Sequence, residues 1–261
     1  MIHGTHNAVD DPRNEEVLVY VNGELLPRQD AKISVFDSGY LVGDSVWEGL
    51  RLHDGVHVRL MLTRGIKKTP SLDPRLTISG PNLVIIAEHK KADPQSRERG
   101  ITLFTSSIRR GSPDYLDPRL NCHSKLHEVQ ALIQALEAGA DEALMLDIHG
   151  FVATCNATNF FMVHKGEVVT STGQYCMNGI TRGKIITACR EHDIPFAQKN
   201  FSLFDVYGAD EAFVTGTFGG LTPVTGVDGR PIGSYGPLTK KLQTHYDEAV
   251  QRAVALYQVP G

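Results

Sequence analysis

Along the chain, apolar and polar positions follow two rhythms, a period of two in the first part and mixed strand and helix spacings in the second. The stretch "EVLVYVNGELLP" (16–27) reads as two short strands joined at Asn22-Gly23, a dipeptide that suits a two-residue hairpin because both positions tolerate positive φ. "GVHVRLMLTRG", "NLVIIAEHK" and "GITLFTSSIRRG" are further strands, so the chain up to Gly111 is strand-rich. "GSPDYLDPRLN", with two prolines and several turn formers, is the best linker. Beyond it a helix is predicted from about Ser124 to Glu137, with Gly139 as its C-cap and with Leu126, Val129, Ile133 and Leu136 marking an apolar face. Strands at "EALMLD", "FVAT", "NFFMV" and "EVVTS" follow, then a helix over about Thr181–His192, the strand "EAFVTG", and a C-terminal helix over about Pro237–Tyr257. The predicted class is α+β. "GADEALML" from Gly139 and "GADEAFVT" from Gly208 nearly repeat; two such junctions point to shared local geometry and not to a solenoid.

The composition narrows the function. With 261 residues, 41% hydrophobic and 21% charged, the chain can bury a large core, and length alone allows one domain or two. A net charge of -4 gives no basic footprint for nucleic acid, so small molecules are the expected partners. Cys122, Cys155, Cys176 and Cys189 are scattered without a C-x-x-C pair, which argues against zinc or a disulfide framework and for a reducing cytoplasm. The opening "MIHGTHNAVDDPRNE" has no apolar signal region and reads as a flexible arm, residues 1–16. No apolar run approaches the ~18 residues of a membrane helix, so no membrane is expected.

Two glycine-rich stretches offer backbone N–H groups and threonine hydroxyls to one phosphate group: "NGITRGKI" (178–185), with Thr181 at a helix start, and "TGTFGGLTPV" (215–224), with Thr217 in a turn. An ordinary N-cap and a tight turn would satisfy the same pattern. There is no Walker sequence, no G-x-G-x-x-G after a strand and no H-E-x-x-H, and the eleven histidines are spread singly.

The order of the motifs carries more than any one of them. "GYLVGDSVWEGLR" after an N-terminal hairpin, then "ADEALMLDIHGFVATCNATNFFMV", "NGITRGKIITACREHDIP" and "GADEAFVTGTFGGLTPV", resembles the class IV, or fold-type IV, pyridoxal-phosphate aminotransferases, which include branched-chain and D-amino-acid aminotransferases and aminodeoxychorismate lyase. The resemblance runs from about Val17 to Gly233. It implies a small N-terminal α/β domain (17–115) and a larger C-terminal domain (122–261) with a β-barrel-like sheet, the cofactor pyridoxal 5'-phosphate between them, and a homodimer. It implies that the phosphate sits on Gly179, Ile180 and Thr181 of the G-I-T-R turn and on Gly216 and Thr217 of the second turn. Trp47 would line the substrate pocket, although a core or interface aromatic is an equal reading.

Three departures from the family pattern matter. The family places its Schiff-base lysine twenty-one residues before the glutamate of the strand "DEALML", which here gives Asn121; the amine is found four positions on, at Lys125. In a helix that shift is ~1.1 turns, so Lys125 would reach the cofactor from the same face. The glutamate that keeps the pyridine nitrogen protonated is replaced by Thr154, which supplies no charge. Relatives also carry a helical segment with a phosphate-binding arginine between two strands, where here "LHDG" runs straight into "VHVRL". Arg59, Arg64 or Arg182 would have to compensate; Arg64, in "LTRG", matches a place where some relatives hold the substrate carboxylate. The leading expectation is transfer of an amino group between an amino acid or amine and a 2-oxo acid through Lys125. A lyase of the same family, and a non-catalytic member, stay open as alternatives.

Overall fold

A computed structural model describes residues 5, 10–52, 55–91, 94–233 and 235–256. Its smaller unit comprises residues 10–91 and 120–126 and carries β1 (Leu18–Val21), β2 (Glu24–Pro27), α1 (Ser38–Val42), β3 (Ser45–Leu52), β4 (Val56–Thr63) and β5 (Asn82–His89). These strands form one antiparallel sheet in the order β2-β1-β5-β4-β3. The predicted hairpin is present, with Val21 opposite Glu24 and both Asn22 (φ 51°) and Gly23 (φ 108°) at positive φ. Strands β3 and β4 pair along their whole length, from Ser45–Thr63 to Leu52–Val56, so no helix separates them. Asp37, fully buried, ties the unit together: its carboxylate caps α1 through the Gly39 N–H at 2.8 Å and accepts from Thr63 Oγ1 and Asn82 Nδ2, each at 2.6 Å.

The larger unit comprises Thr5 and residues 94–119 and 127–256. It contains α2 (Pro94–Arg99), β6 (Ile101–Thr105), α3 (Leu126–Glu137), β7 (Glu142–Leu146), β8 (Val152–Cys155), β9 (Asn159–His164), β10 (Glu167–Thr170), α4 (Ile180–Glu191), β11 (Phe196–Gln198), α5 (Leu203–Tyr207), β12 (Glu211–Gly216), β13 (Gly220–Val227), β14 (Arg230–Pro231) and α6 (Pro237–Leu256). Its nine strands run in the order β11-β10-β9-β12-β13-β6-β7-β8, with β14 beside β13; the pairs β10/β11, β13/β6 and β6/β7 are parallel and the rest antiparallel. Period two sorts β9 between two cores. Phe160 and Met162 pack with Leu144, Val152, Val214 and Val224, whereas Phe161 and Val163 pack with Phe213, Ile185 of α4 and Leu242 of α6. The Phe161 and Phe213 rings stack at 4.9 Å. Burying side chains of this size contributes roughly 1.5–3 kcal/mol each.

The α+β class stands, and four expectations change. The expected boundary put β6 in the N-terminal domain, but β6 hydrogen-bonds between β7 and β13 and belongs to the larger unit, while 120–126 pairs with the smaller one. Within the supposed arm, residues 1–4 and 6–9 lie outside the described residues. Thr5, however, is buried against Glu142, and Asn14 bonds both the N–H and the C=O of His89 at 2.8 Å. Helix α3 begins at Leu126, not Ser124. Its packed side is Glu128, Ala131 and Ala135, set against Ala143 and Met145; Leu126, Val129, Ile133 and Leu136 are about half exposed or more. Small residues let the helix approach the sheet closely, which leaves the larger apolar stripe outside.

Candidate active site

Asn159, at the start of β9, brings the two glycine turns together. Its backbone is the register partner of Thr215 across β9/β12, and its Nδ2 donates to the Met177 carbonyl at 2.9 Å. A Cβ on Gly179 would stand 2.6 Å from its Oδ1, so a larger residue there would require the Asn159 side chain, held on Met177, to move. Next to it, a Cβ on Gly216 would meet Thr158 Cγ2 at 3.2 Å. Gly179 and Gly216 thereby lie against the neighbouring residues Asn159 and Thr158, with Ile180 and Thr181 following the first glycine and Thr217 the second.

The chemistry of this place suits a phosphate. Gly179 is the N-cap of the 12-residue α4 and makes no side-chain cap bond, and the first helical bond joins the Gly183 N–H to the Gly179 carbonyl at 2.9 Å. The N–H groups of Ile180, Thr181 and Arg182 therefore point out of the helix end, where the helix dipole favours an anion. At the end of β12 and the start of α4, the buried Thr215 Oγ1 and Arg182 Nε have no hydrogen-bond partner among the described residues.

Both Nη atoms of Arg182 are committed within the fold. Its Nη2 donates to the Ser171 carbonyl at 2.7 Å and to Gln198 Oε1 at 3.0 Å, and its Nη1 to Asn178 Oδ1 at 3.0 Å, so it fastens the 171–178 loop to α4. Thr154 is buried in the same neighbourhood, and its hydroxyl is committed to the Thr158 carbonyl at 2.8 Å while accepting from Asn159 Nδ2 at 3.4 Å. Its oxygen carries no charge, so the glycine turns suit a phosphate group, whereas the pyridine nitrogen of the expected cofactor has no carboxylate partner at this position.

In the smaller unit, residues 121–123 run alongside β3: the Trp47 N–H donates to the Asn121 carbonyl at 2.9 Å, Cys122 bridges Val46, and the His123 N–H donates to the Ser45 carbonyl at 3.0 Å. The chain is extended here, so the argument for Lys125 from one helical turn does not hold. Sheet pairing, not a helix, presents Lys125 to a cavity of about 720 Å³ lined also by Trp47, Arg59, His123, Asp37 and Glu88. The Arg59 guanidinium lies 4.1 Å over the Trp47 ring. Burial, then the Arg59 charge, holds His123 below its ordinary value. Arg64 is elsewhere. Its guanidinium grips Asp44 with both arms at an exposed site, and it does not line this cavity. Arg59, which the sequence offered only as a substitute for the missing arginine, takes the place beside Trp47. Among the described residues no group of three or more His, Cys, Asp or Glu could hold a metal ion.

The sequence pattern of the class IV aminotransferases matches residues 44–227, and the chain belongs to that family. It is 34% identical, over 278 aligned residues covering 88% of this chain and 95% of the relative, to a putative branched-chain-amino-acid aminotransferase of Methanocaldococcus jannaschii. It is 35% identical to branched-chain-amino-acid aminotransferase-like protein 2 of Arabidopsis thaliana over 90% of this chain and 50% of that protein. The chain spans about half the length of the two plant relatives it matches. By structure it is similar to the branched-chain aminotransferase of the thermophilic archaeon Thermoproteus uzoniensis with norvaline (TM-score 0.79, 22% identity, 90% of this chain and 94% of that one). It is also similar to a Brucella abortus aminotransferase bound to the cofactor PLP (TM-score 0.76, 23% identity, 89% and 98%). At these identities the structural likeness carries the fold.

Proposed function

We propose that the chain transfers an amino group between an amino acid or amine and a 2-oxo acid, with pyridoxal 5'-phosphate as cofactor. The observation that carries this reading is the convergence of the two glycine turns on Asn159 beside an uncapped helix N-terminus, in a chain of this family. Ile180, Thr181 and Thr217 would hold the phosphate through backbone N–H and hydroxyl groups. When bound, the cofactor supplies an aldehyde for the amino group and an electron-poor ring that withdraws charge from the substrate α-carbon. Lys125 would be its covalent partner, and afterwards the base that takes a proton from the α-carbon and returns it. Arg59, stacked on Trp47 in the cavity that Lys125 lines, would bind the substrate carboxylate; a guanidinium suits a carboxylate bidentately.

The protein would act as a homodimer, and the exposed stripe Val129, Ile133 and Leu136 of α3 is suited to cover by a second copy. A cytoplasmic setting agrees with four free cysteines, three of them buried. No helix of the described residues is long and apolar enough to cross a membrane.

Borohydride reduction of the protein saturated with pyridoxal phosphate, followed by peptide mapping, tests the reading. A pyridoxyl group on Lys125 is expected. Its appearance on another amine, such as the buried Lys67, or on none, would overturn the assignment.

A further inference from the structure

Thr5 precedes the smaller unit in the chain but packs in the larger one. It is 5% exposed, and its hydroxyl donates to Oε1 of Glu142. The other carboxyl oxygen, Oε2, accepts from Thr158 Oγ1 at 2.7 Å. Thr158 stands against Gly216, while its carbonyl holds the Thr154 hydroxyl at 2.8 Å and the Cys155 N–H at 2.9 Å. On the opposite flank, a Cβ on Gly219 would lie 3.5 Å from the Thr5 carbonyl oxygen and 3.8 Å from its Cβ. Thr5 therefore lies beside the 216–219 turn at Gly219 and, through Glu142 and Thr158, is linked to it near Gly216. Thr217 lies between these two supports. Glu142 is itself buried, and among the described residues Thr5 and Thr158 donate to its carboxyl.

We propose that Thr5 is a positioning residue: it fixes the 216–219 turn so that the Thr217 hydroxyl and the neighbouring N–H groups meet a phosphate oxygen. The proposal rests on the reading that this turn holds the cofactor phosphate. Deleting the Thr5 hydroxyl leaves one Glu142 oxygen short of a donor and frees the carboxyl to shift, and Thr158 with it.

Thr5→Val keeps the shape and loses the hydroxyl, Thr5→Ser keeps the hydroxyl, and removal of residues 1–7 takes the whole support away. In the cofactor-free protein, hydrogen exchange at the amides of Thr217, Phe218 and Gly219 is expected to rise about three- to tenfold in Thr5→Val and in the truncated chain, and to return in Thr5→Ser. Equilibrium dialysis with pyridoxal phosphate should show a loss of affinity of similar size and the same rescue. Unchanged exchange overturns the proposal. So does altered exchange with unchanged affinity, which would make Thr5 structural only. If the wild-type protein retains no pyridoxal phosphate while the exchange effect persists, the phosphate reading fails and the positioning role falls with it; that result is distinguishable from failure at Thr5.

Discussion

Gly179 lies so near Asn159 that a Cβ built on it would stand 2.6 Å from Oδ1, although its φ of -57° is open to any residue. The requirement for glycine is spatial, not conformational. Gly179→Ala should push Asn159 off the Met177 carbonyl, cost about 1–3 kcal/mol in urea denaturation, and reduce pyridoxal phosphate retention. Gly183, on the exposed side of α4 with nothing within 4 Å of its Cβ position, is the control: Gly183→Ala should stabilise by about 0.5–1 kcal/mol.

Thr217→Ala removes one charge-assisted hydrogen bond to a bound phosphate. Cofactor affinity measured by equilibrium dialysis should fall by ~1.5–3 kcal/mol, with the urea midpoint of the cofactor-free chain unmoved. Equal affinity for wild type and variant would remove Thr217 from the site.

Two arginine pairs of similar geometry should behave oppositely. Arg110 and Glu128, both buried, meet at 2.6 Å, and Arg110 also donates to the Tyr175 carbonyl at 3.2 Å. Arg110→Met removes the guanidinium from the buried Glu128 carboxylate, which keeps His127 at 3.2 Å, and should cost about 3–5 kcal/mol. Arg64 is exposed, so Arg64→Ala should cost about 0–1 kcal/mol, measured on the same denaturation curves. If Arg59 binds substrate carboxylate, Arg59→Ala should raise KM and Arg64→Ala should leave it unchanged.

Burial pushes the Glu142 carboxyl above its ordinary value of 4.5, against the smaller opposing effect of its threonine donors. The folded chain then keeps its proton at pH values where the unfolded chain has lost it. The contribution of Glu142 to stability is full below the unfolded value and declines as pH rises through the folded one. Urea midpoints of wild type relative to Glu142→Gln should therefore drop as pH climbs from about 4.5 and then level off. A constant difference across that range would show the two values to be equal.

The repeating glutamates illustrate what was legible in the sequence. "GADEALML" and "GADEAFVT" do share a geometry: each glutamate opens a buried strand, β7 or β12, and each carboxylate serves a neighbouring element. Glu142 holds Thr5 and Thr158; Glu211 caps α6 through the N–H groups of Leu238 (3.1 Å) and Thr239 (2.7 Å). The longer strands and helices followed from periodicity, whereas the short elements α1, α2, α5 and β11 did not, and glycine spacing located the two turns that Gly179 and Gly216 occupy. The orientation of α3 did not, because a 3.6-residue period marks two faces and does not say which one the core will take when alanines line the other. The extended backbone at 121–123 was likewise hidden, since its partner β3 lies more than seventy residues earlier and the segment has no periodicity of its own. Arg64 and Arg59 were separable only by knowing that Asp44 stands where it can grip the first.

The uninterrupted pairing of β3 with β4 has a consequence for tolerance of added chain. A ladder between adjacent antiparallel strands is indifferent to how far the chain wanders after leaving one and before entering the other, and closing a longer excursion costs only about 0.6 kcal/mol per doubling of its length. Once such a connection is long enough to be flexible, further residues between Leu52 and Val56 add little closure cost, and the register from Ser45–Thr63 to Leu52–Val56 does not depend on them.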